Sequence, residues 1–177
     1  MTSLALIGPQ GSGKTTLARA LGQYGWEHLS FADPLREIAA CAYGPIDKAA
    51  HYEVRRSGAT VEITGRELLQ ALGTDAIRRQ LDEDFWVKSL VRRLAPGRHY
   101  VVDDCRFPNE ERALREHGFR FIRLVGRAGP QRDHESEFHW PAFRYDATVD
   151  TSADTPEMAA DRLVAVVDVL DVVHAGE

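Results

Sequence analysis

Residues 8–15 constrain the fold of this chain more than any other segment. They read Gly-Pro-Gln-Gly-Ser-Gly-Lys-Thr and fit the pattern G-x-x-x-x-G-K-[ST] at every specified position. An apolar run at 4–7 precedes them, and residues 16–21 have the composition of the first turns of a helix. In this strand–loop–helix context, glycines let the backbone curl until its N–H groups point at phosphate oxygens. The segment therefore predicts a loop that binds the phosphates of a nucleoside triphosphate.

The predicted loop contains side chains suited to phosphate and metal chemistry. Lys14 supplies a positive charge for the β- and γ-phosphates, and the Thr15 hydroxyl is a candidate Mg²⁺ ligand. We predict that the nucleotide is bound by Gly11, Ser12, Gly13, Lys14, Thr15 and Thr16.

Length, charge and cysteine content narrow the class of protein. The 177 residues suit one domain, and a net charge of −5 gives no general attraction to nucleic acid or to an anionic membrane surface. Cys41 and Cys105 lack metal-ligand spacing, so we expect two free thiols in a reducing compartment. No signal peptide or membrane-length apolar run is recognisable, and we expect a soluble, cytoplasmic protein that does not bind membranes.

Strand and helix patterns alternate along the chain. Predicted strands cover 4–7, 27–31, 99–103, 119–125 and 147–149, and predicted helices begin near residues 16, 34, 64, 84, 109 and 155. This alternation predicts an α/β fold with three layers, in which helices cover both faces of a parallel sheet. Residues 44–61 lack a clear period and are interpreted as a loop or small excursion. We predict a single domain over 1–177, with a substrate-binding helical region at about 34–95 and a lid at about 126–145.

Two acids follow the apolar strand at 99–102. Asp103 and Asp104 lie where ligands gather in open α/β sheets, at the carboxyl end of a strand. One of them can hold Mg²⁺ or orient a phosphoryl acceptor, and we expect the other to face solvent.

The helix predicted from Thr64 to about residue 81 carries a polar stripe. Thr64 and Glu67 have the spacing of a capping box, which marks the start of the helix. Arg66, Gln70 and Gly73 share one face, where Arg can fork a phosphate, Gln can bond a base edge and Gly allows close ligand approach. The opposite face is expected to enter the core and holds Leu68, Leu72 and Ala76. The alternative is an ordinary amphipathic helix with an exposed polar face.

A charged segment at 127–137 has the composition of a lid. Its arginines, Arg127 and Arg132, would stabilise charge that develops during phosphoryl transfer. His134 raises the alternative of a zinc site, but the remaining histidines lack metal-ligand spacing. The guanine-reading segment N-K-x-D is absent, which disfavours a GTPase and favours a small-molecule kinase.

These motifs together resemble the deoxynucleoside monophosphate kinases encoded by tailed bacteriophages, a branch of the phosphate-loop nucleotide kinases. Beyond the loop, the resemblance is carried by FADPLR at 31–36, GRELLQALGTD at 65–75, FWVK at 85–88, DCR at 104–106, Arg127, and HESE at 134–137. The implied reaction is transfer of a phosphoryl group from ATP to a deoxynucleoside monophosphate with Mg²⁺.

The resemblance also implies roles for individual residues. The substrate-binding set is Asp33, Arg36, Arg66, Gln70, Gly73, Thr74, Asp75, Trp86, Asp104, Arg106, His134 and Glu137. The catalytic set is Lys14, Asp104, Arg127 and Arg132, and the metal ligands are Thr15 and Asp104. Asp103 replaces other residue types in some members of the family, so Asp104 is the stronger candidate of the two acids.

Two other functions stay open at this stage. A kinase acting on hydroxymethylated bases in phage DNA would share this core, but it would need a DNA-binding groove that the net charge of −5 disfavours. A non-catalytic nucleotide-sensing module is disfavoured by the intact Lys14, Thr15 and Arg127. We expect a deoxynucleoside monophosphate as the partner molecule and no stable nucleic-acid binding, and a homodimer is an open alternative.

Overall fold

The computed structural model describes residues 2–126 and 139–175. The chain divides into two compact units, of which unit 1 comprises Met1–Ser30 with Arg93–Glu177 and unit 2 comprises Phe31–Arg92. Unit 2 covers nearly the same residues as the predicted substrate-binding region. None of the helices in the described ranges combines the length and the apolar character that a bilayer crossing requires.

Unit 1 is built on a five-stranded parallel sheet in the order β2-β5-β1-β6-β7. Its strands are β1 (Leu4–Ile7), β2 (Trp26–Leu29), β5 (His99–Val102), β6 (Arg120–Val125) and β7 (Ala147–Asp150). The five strands predicted from sequence are confirmed within one or two residues at each end. The predicted α/β class with a parallel sheet is confirmed as well.

Helices cover both faces of this sheet because its central strand is apolar on both sides. All four residues of β1 are buried. Helices α1 (Lys14–Ala20) and α6 (Pro156–Ala175) contribute Leu17 and Leu163 to the same core cluster as Leu4. Helix α5 (Pro108–Glu116) lies on the opposite face, where the guanidinium of Arg115 stacks over the ring of Phe121 at 4.2 Å. The predicted three-layer arrangement is confirmed.

The parallel topology places the ends of three strands at one edge of the sheet. Strand β5 pairs with β1 on one side and with β2 on the other. The residues that follow these strands, at 8–15, 30 and 103–104, therefore share the edge where ligands bind in open α/β sheets.

Unit 2 contains a β-hairpin where the sequence predicted a loop. Strands β3 (His51–Arg56) and β4 (Ala59–Thr64) pair in antiparallel register, with Arg56 opposite Ala59. Ser57 and Gly58 form the two-residue connection and both have positive φ, 50° and 85°. Positive φ at both central positions is the requirement of the type I′ turn that suits hairpin twist. The loop interpretation is wrong for 51–61, and Ser57-Gly58 between two alternating segments was the available signal.

The remaining elements of unit 2 are helical. They are α2 (Asp33–Tyr43), α3 (Gly65–Gln70), a π-helical segment (Ala71–Arg78) and α4 (Phe85–Val91). The predicted capping box is confirmed at the start of α3: the Glu67 N–H donates to Thr64 Oγ1 at 3.2 Å, and the Thr64 N–H donates to Glu67 Oε2 at 2.7 Å. The backbone N–H and the hydroxyl of Thr64 both donate to the Glu67 carboxylate, and these two hydrogen bonds lower the pKa of Glu67.

The π-helical segment changes which residues enter the core. A π-helix bonds residues five apart, so it turns less per residue than the α-helix that the sequence predicted. Leu68 is buried as expected, but Leu72 is only half-buried and Ala76 is exposed, while Gly73 and Thr74 are buried. The predicted core position of Ala76 is wrong because the helical phase shifts after Gln70.

Gly65 allows a close backbone approach that we expect any side chain to disrupt. A Cβ at this position would lie 2.1 Å from the carbonyl oxygen of Asp47, whereas a Cβ at Gly22 would meet nothing within 4 Å. We expect Gly65→Ala to lower the free energy of unfolding by about 1–3 kcal/mol through overpacking. The control Gly22→Ala should leave stability unchanged or raise it slightly. Urea unfolding of both variants makes the comparison, and equal stabilities would contradict this explanation of Gly65.

Candidate functional site

The loop at 8–15 has the backbone conformation that the motif predicts. Gly11 and Gly13 have φ of 80° and 85°, values that favour glycine over other residues. Gly8 has a second constraint, since a Cβ there would lie 2.8 Å from the carbonyl oxygen of Leu124. The glycines thus serve two purposes, because two of them shape the curl of the loop and Gly8 lets β1 end against β6.

Lys14 is held by the loop to which it belongs. Its Nζ donates to the carbonyl oxygens of Gly8 at 2.8 Å and Pro9 at 2.7 Å, and it lies 3.3 Å from Ser12 Oγ. Ser12 is fully buried, and Thr15 and Thr16 are exposed. The ammonium group is therefore positioned by backbone carbonyls on the loop, where its charge suits a polyphosphate.

A contact between Thr15 and Asp103 joins the loop after β1 to the end of β5. The Thr15 hydroxyl lies within hydrogen-bond reach of Asp103 Oδ2, and Asp103 is only 6% exposed. An ionised carboxylate accepts but does not donate, so Thr15 is the donor and its oxygen keeps lone pairs for another partner. A hydroxyl oxygen with a neighbouring carboxylate is a donor set that fits Mg²⁺, which prefers oxygen and takes few protein ligands.

Asp104 makes a different contact. Its Oδ2 accepts a hydrogen bond from Ser30 Oγ at 2.5 Å, and the carbonyl of Ser30 accepts one from Arg93 Nη2 at 2.6 Å. The structure thus places Asp103, not Asp104, against the Thr15 hydroxyl. The role of Asp104 as a metal ligand stays a prediction, and Asp103 becomes a second candidate for that role.

A buried acid after β5 was missed. Glu110 is 2% exposed, and its Oε2 accepts the backbone N–H groups of Arg106 at 2.7 Å and Phe107 at 3.1 Å. Glu110 therefore fixes the turn that carries Arg106, which is half-buried. Cys105 lies in the same turn, where burial raises the pKa of its thiol, and both Cys105 and Cys41 are free as predicted.

Several of the predicted substrate residues of unit 2 lie on α3 and on the π-helical segment. Arg66 and Gln70 are half-buried on α3. Gly73 is buried, and a Cβ there would lie 2.7 Å from Leu35 Cδ2. The side chain of Leu35 of α2 fills the space beside the α-carbon, which is a packing reason for glycine at position 73. The predicted contact with a ligand stays a prediction.

A hydrogen bond from the Trp86 side chain holds the backbone of the π-helical segment. The indole Nε1 donates to the carbonyl oxygen of Gly73 at 3.0 Å in a buried setting. The neighbouring polar residue Thr74 is buried, and Asp75 is exposed and paired with Arg79 at 2.8 Å. Trp86 thus supports the backbone of the segment that carries Thr74 and Asp75.

Some of the remaining predicted residues lie within the part of the chain that the structure describes, and the others lie outside it. Asp33 and Arg36 form an ion pair at 3.2 Å on the first turn of α2. Arg127, Arg132, His134 and Glu137 lie outside the described residues, so the lid stays a prediction. Within the described ranges, no group of three or more His, Cys, Asp or Glu side chains is arranged to hold a metal ion.

Comparison with known proteins finds a family resemblance over part of the chain. Residues 56–139 match the model of the deoxynucleotide monophosphate kinase family. This range includes the segment 65–75, Trp86 and the acids at 103–104. The match confirms the predicted resemblance and the prediction of a kinase. No curated protein matches the sequence significantly.

One of the similar solved structures supports the fold. A gluconokinase from Sinorhizobium meliloti 1021 aligns with a TM-score of 0.51 and 17% identity, over 99% of this chain and 97% of that chain. A sugar kinase from Janibacter sp. HTCC2649 aligns with a TM-score of 0.44 and 18% identity, over 95% of each chain. The first likeness supports the α/β architecture and no particular substrate.

The contrast between Asp103 and Asp104 yields a prediction. We expect Asp103→Asn to lower Mg²⁺-dependent activity by about 10- to 100-fold, because the Thr15 hydroxyl loses its charged acceptor. We expect a smaller loss for Asp104→Asn, which is the matched control one residue away. Steady-state rates at saturating Mg²⁺ and ATP compare them, and a larger loss for Asp104→Asn would contradict the assignment.

Proposed function

We propose that this protein transfers the γ-phosphoryl group of ATP to a deoxynucleoside monophosphate, giving ADP and the deoxynucleoside diphosphate. The observation that carries the proposal is the Thr15–Asp103 contact beside a complete phosphate loop, in a chain whose residues 56–139 match a deoxynucleotide monophosphate kinase family. The proposal assigns ATP to unit 1 and the monophosphate to the α3 region of unit 2.

On the donor side, the chain contributes positioning and charge. Lys14 would bind the β- and γ-phosphates from the place where Gly8 and Pro9 hold it. Thr15 would offer its oxygen to Mg²⁺, with Asp103 behind it, and bound Mg²⁺ would neutralise charge on the phosphates. Arg127 and Arg132 are proposed to add positive charge as transfer proceeds.

On the acceptor side, Arg66 is the proposed phosphate ligand because guanidinium groups bind phosphate with two parallel hydrogen bonds. Gln70 lies one helical turn further along and is proposed to bond the base. Thr74, Asp75 and Arg36 are proposed to complete the acceptor region, with Trp86 supporting its backbone. His134, Glu137, Asp33, Asp104 and Arg106 are retained in the proposed substrate set.

The acceptor phosphate explains why no general base is required. A monophosphate is anionic at neutral pH and already nucleophilic, so catalysis reduces to positioning and charge neutralisation. A hydroxyl acceptor would instead need a base to remove its proton. The net charge of −5 favours a small acceptor over a DNA strand. Free thiols at both cysteines accord with a cytoplasmic location.

An acceptor screen tests the proposal. The purified chain is mixed with ATP and Mg²⁺, and ADP release is followed with dAMP, dGMP, dCMP, dTMP, the four ribonucleotides and gluconate as acceptors. We expect at least one deoxynucleotide to be phosphorylated far faster than gluconate, which serves as a control for the shared fold. Turnover with gluconate and with none of the monophosphates would overturn the proposal.

A substitution at Arg66 tests acceptor binding separately from donor binding. We expect Arg66→Ala to raise the KM for the monophosphate about tenfold or more, since hydrogen bonds to charged groups contribute about 1.5–3 kcal/mol. The KM for ATP should change little. Arg55→Ala, which removes an exposed arginine of the same unit, is the control and should leave both constants unchanged. Equal increases for ATP and the monophosphate in Arg66→Ala would show that α3 is not the acceptor region.

A further inference from the structure

His28 contacts the same Asp103 carboxylate that the Thr15 hydroxyl contacts. It is the third residue of β2, and its Nε2 lies 2.9 Å from Asp103 Oδ1. The side chain of Asp103 is 6% exposed and that of His28 is 26% exposed. Asp103 therefore has one carboxylate oxygen facing Thr15 and the other facing His28.

The chemistry of the three groups fixes the direction of both hydrogen bonds. An ionised carboxylate accepts only, so His28 must carry a proton on Nε2 and Thr15 must donate its hydroxyl proton. With both of its oxygens engaged, the carboxylate cannot rotate without breaking a bond to one partner. The Thr15 hydroxyl is then held with its lone pairs directed away from Asp103.

The backbone does not require this histidine. Residues 26–29 of β2 already pair with 99–102 of β5 in parallel register. The His28–Asp103 contact adds a side-chain bond between the end of β5 and the neighbouring strand, beside the phosphate loop. Side chains that orient a metal ligand without touching the metal matter in metal sites generally, and losing such support typically lowers metal affinity or activity about 10- to 100-fold.

We propose that His28 is a positioning residue, which fixes Asp103 so that the Thr15 hydroxyl presents its oxygen to the Mg²⁺ of bound MgATP. The inference rests on the proposed use of ATP and is independent of which acceptor is phosphorylated. It predicts that His28 affects only the magnesium-dependent part of nucleotide binding. A residue that merely supported the fold would affect binding with and without the metal alike.

The test measures the dissociation constant of a non-hydrolysable ATP analogue by calorimetry, once with Mg²⁺ and once with EDTA, and with no acceptor present. In the wild-type chain we expect tighter binding with Mg²⁺. His28→Leu should reduce that gain about tenfold or more while leaving the metal-free constant unchanged. His28→Gln should restore most of the gain, because its amide nitrogen reaches as far as the imidazole Nε2.

A double variant distinguishes an effect through Thr15 from any other. Thr15→Val removes the hydroxyl, so adding His28→Leu to it should change the magnesium-dependent gain very little. His99→Leu, at the opposite end of the neighbouring strand and half-buried, is the control and should leave both dissociation constants at wild-type values. Should His28→Leu fail to fold by circular dichroism, His28→Asn replaces it, since its shorter amide does not span the distance and the same loss is expected.

The outcomes separate this inference from the proposed function. Equal losses with Mg²⁺ and EDTA, an undiminished loss in the Thr15→Val background, or a wild-type chain that binds no more tightly with Mg²⁺ would each overturn the role of His28. A magnesium-specific loss in His28→Leu would support that role even if the acceptor screen found no deoxynucleotide substrate.

Discussion

The hydrogen bond between Thr15 and Asp103 joins the two strand ends on which the proposed nucleotide chemistry of unit 1 depends. Thr15 follows β1 through the glycine-containing loop, and Asp103 follows β5 directly. The two meet because β1 and β5 are neighbours and run in the same direction. A buried parallel sheet with helices on both faces keeps those strand ends in place. The position of the candidate site therefore depends on the packing of the apolar core.

The same contact explains the arrangement of the surrounding polar groups. His28 and Ser30 come from the end of β2, on the far side of β5 from the loop. His28 contacts Asp103, whereas Ser30 contacts Asp104. The adjacent acids Asp103 and Asp104 therefore have different hydrogen-bond partners, because consecutive side chains at a strand end point to opposite sides.

Much of this could be predicted from the sequence, and the failures have physical reasons. The phosphate loop and the Thr64–Glu67 capping box were predictable because each depends on residues only a few positions apart. The contact of Thr15 with Asp103 instead of Asp104 was not, because it depends on the pairing of strands distant in sequence. The expected burial of Ala76 was wrong because the π-helical segment changes the helical period, and no residue in the segment signals that change. The hairpin was missed although Ser57-Gly58 carried the turn signal.

We propose this division of binding: unit 1 binds the phosphoryl donor, and the α3 region of unit 2 binds the monophosphate acceptor. Amide hydrogen exchange of the full chain tests it most directly, with a non-hydrolysable ATP analogue plus Mg²⁺ and, separately, with the monophosphate that the chain phosphorylates best. The account predicts slower exchange in peptides covering 8–17 with the ATP analogue and in peptides covering 65–75 with the monophosphate. Protection of 8–17 by the monophosphate with no change across 65–75 would contradict it.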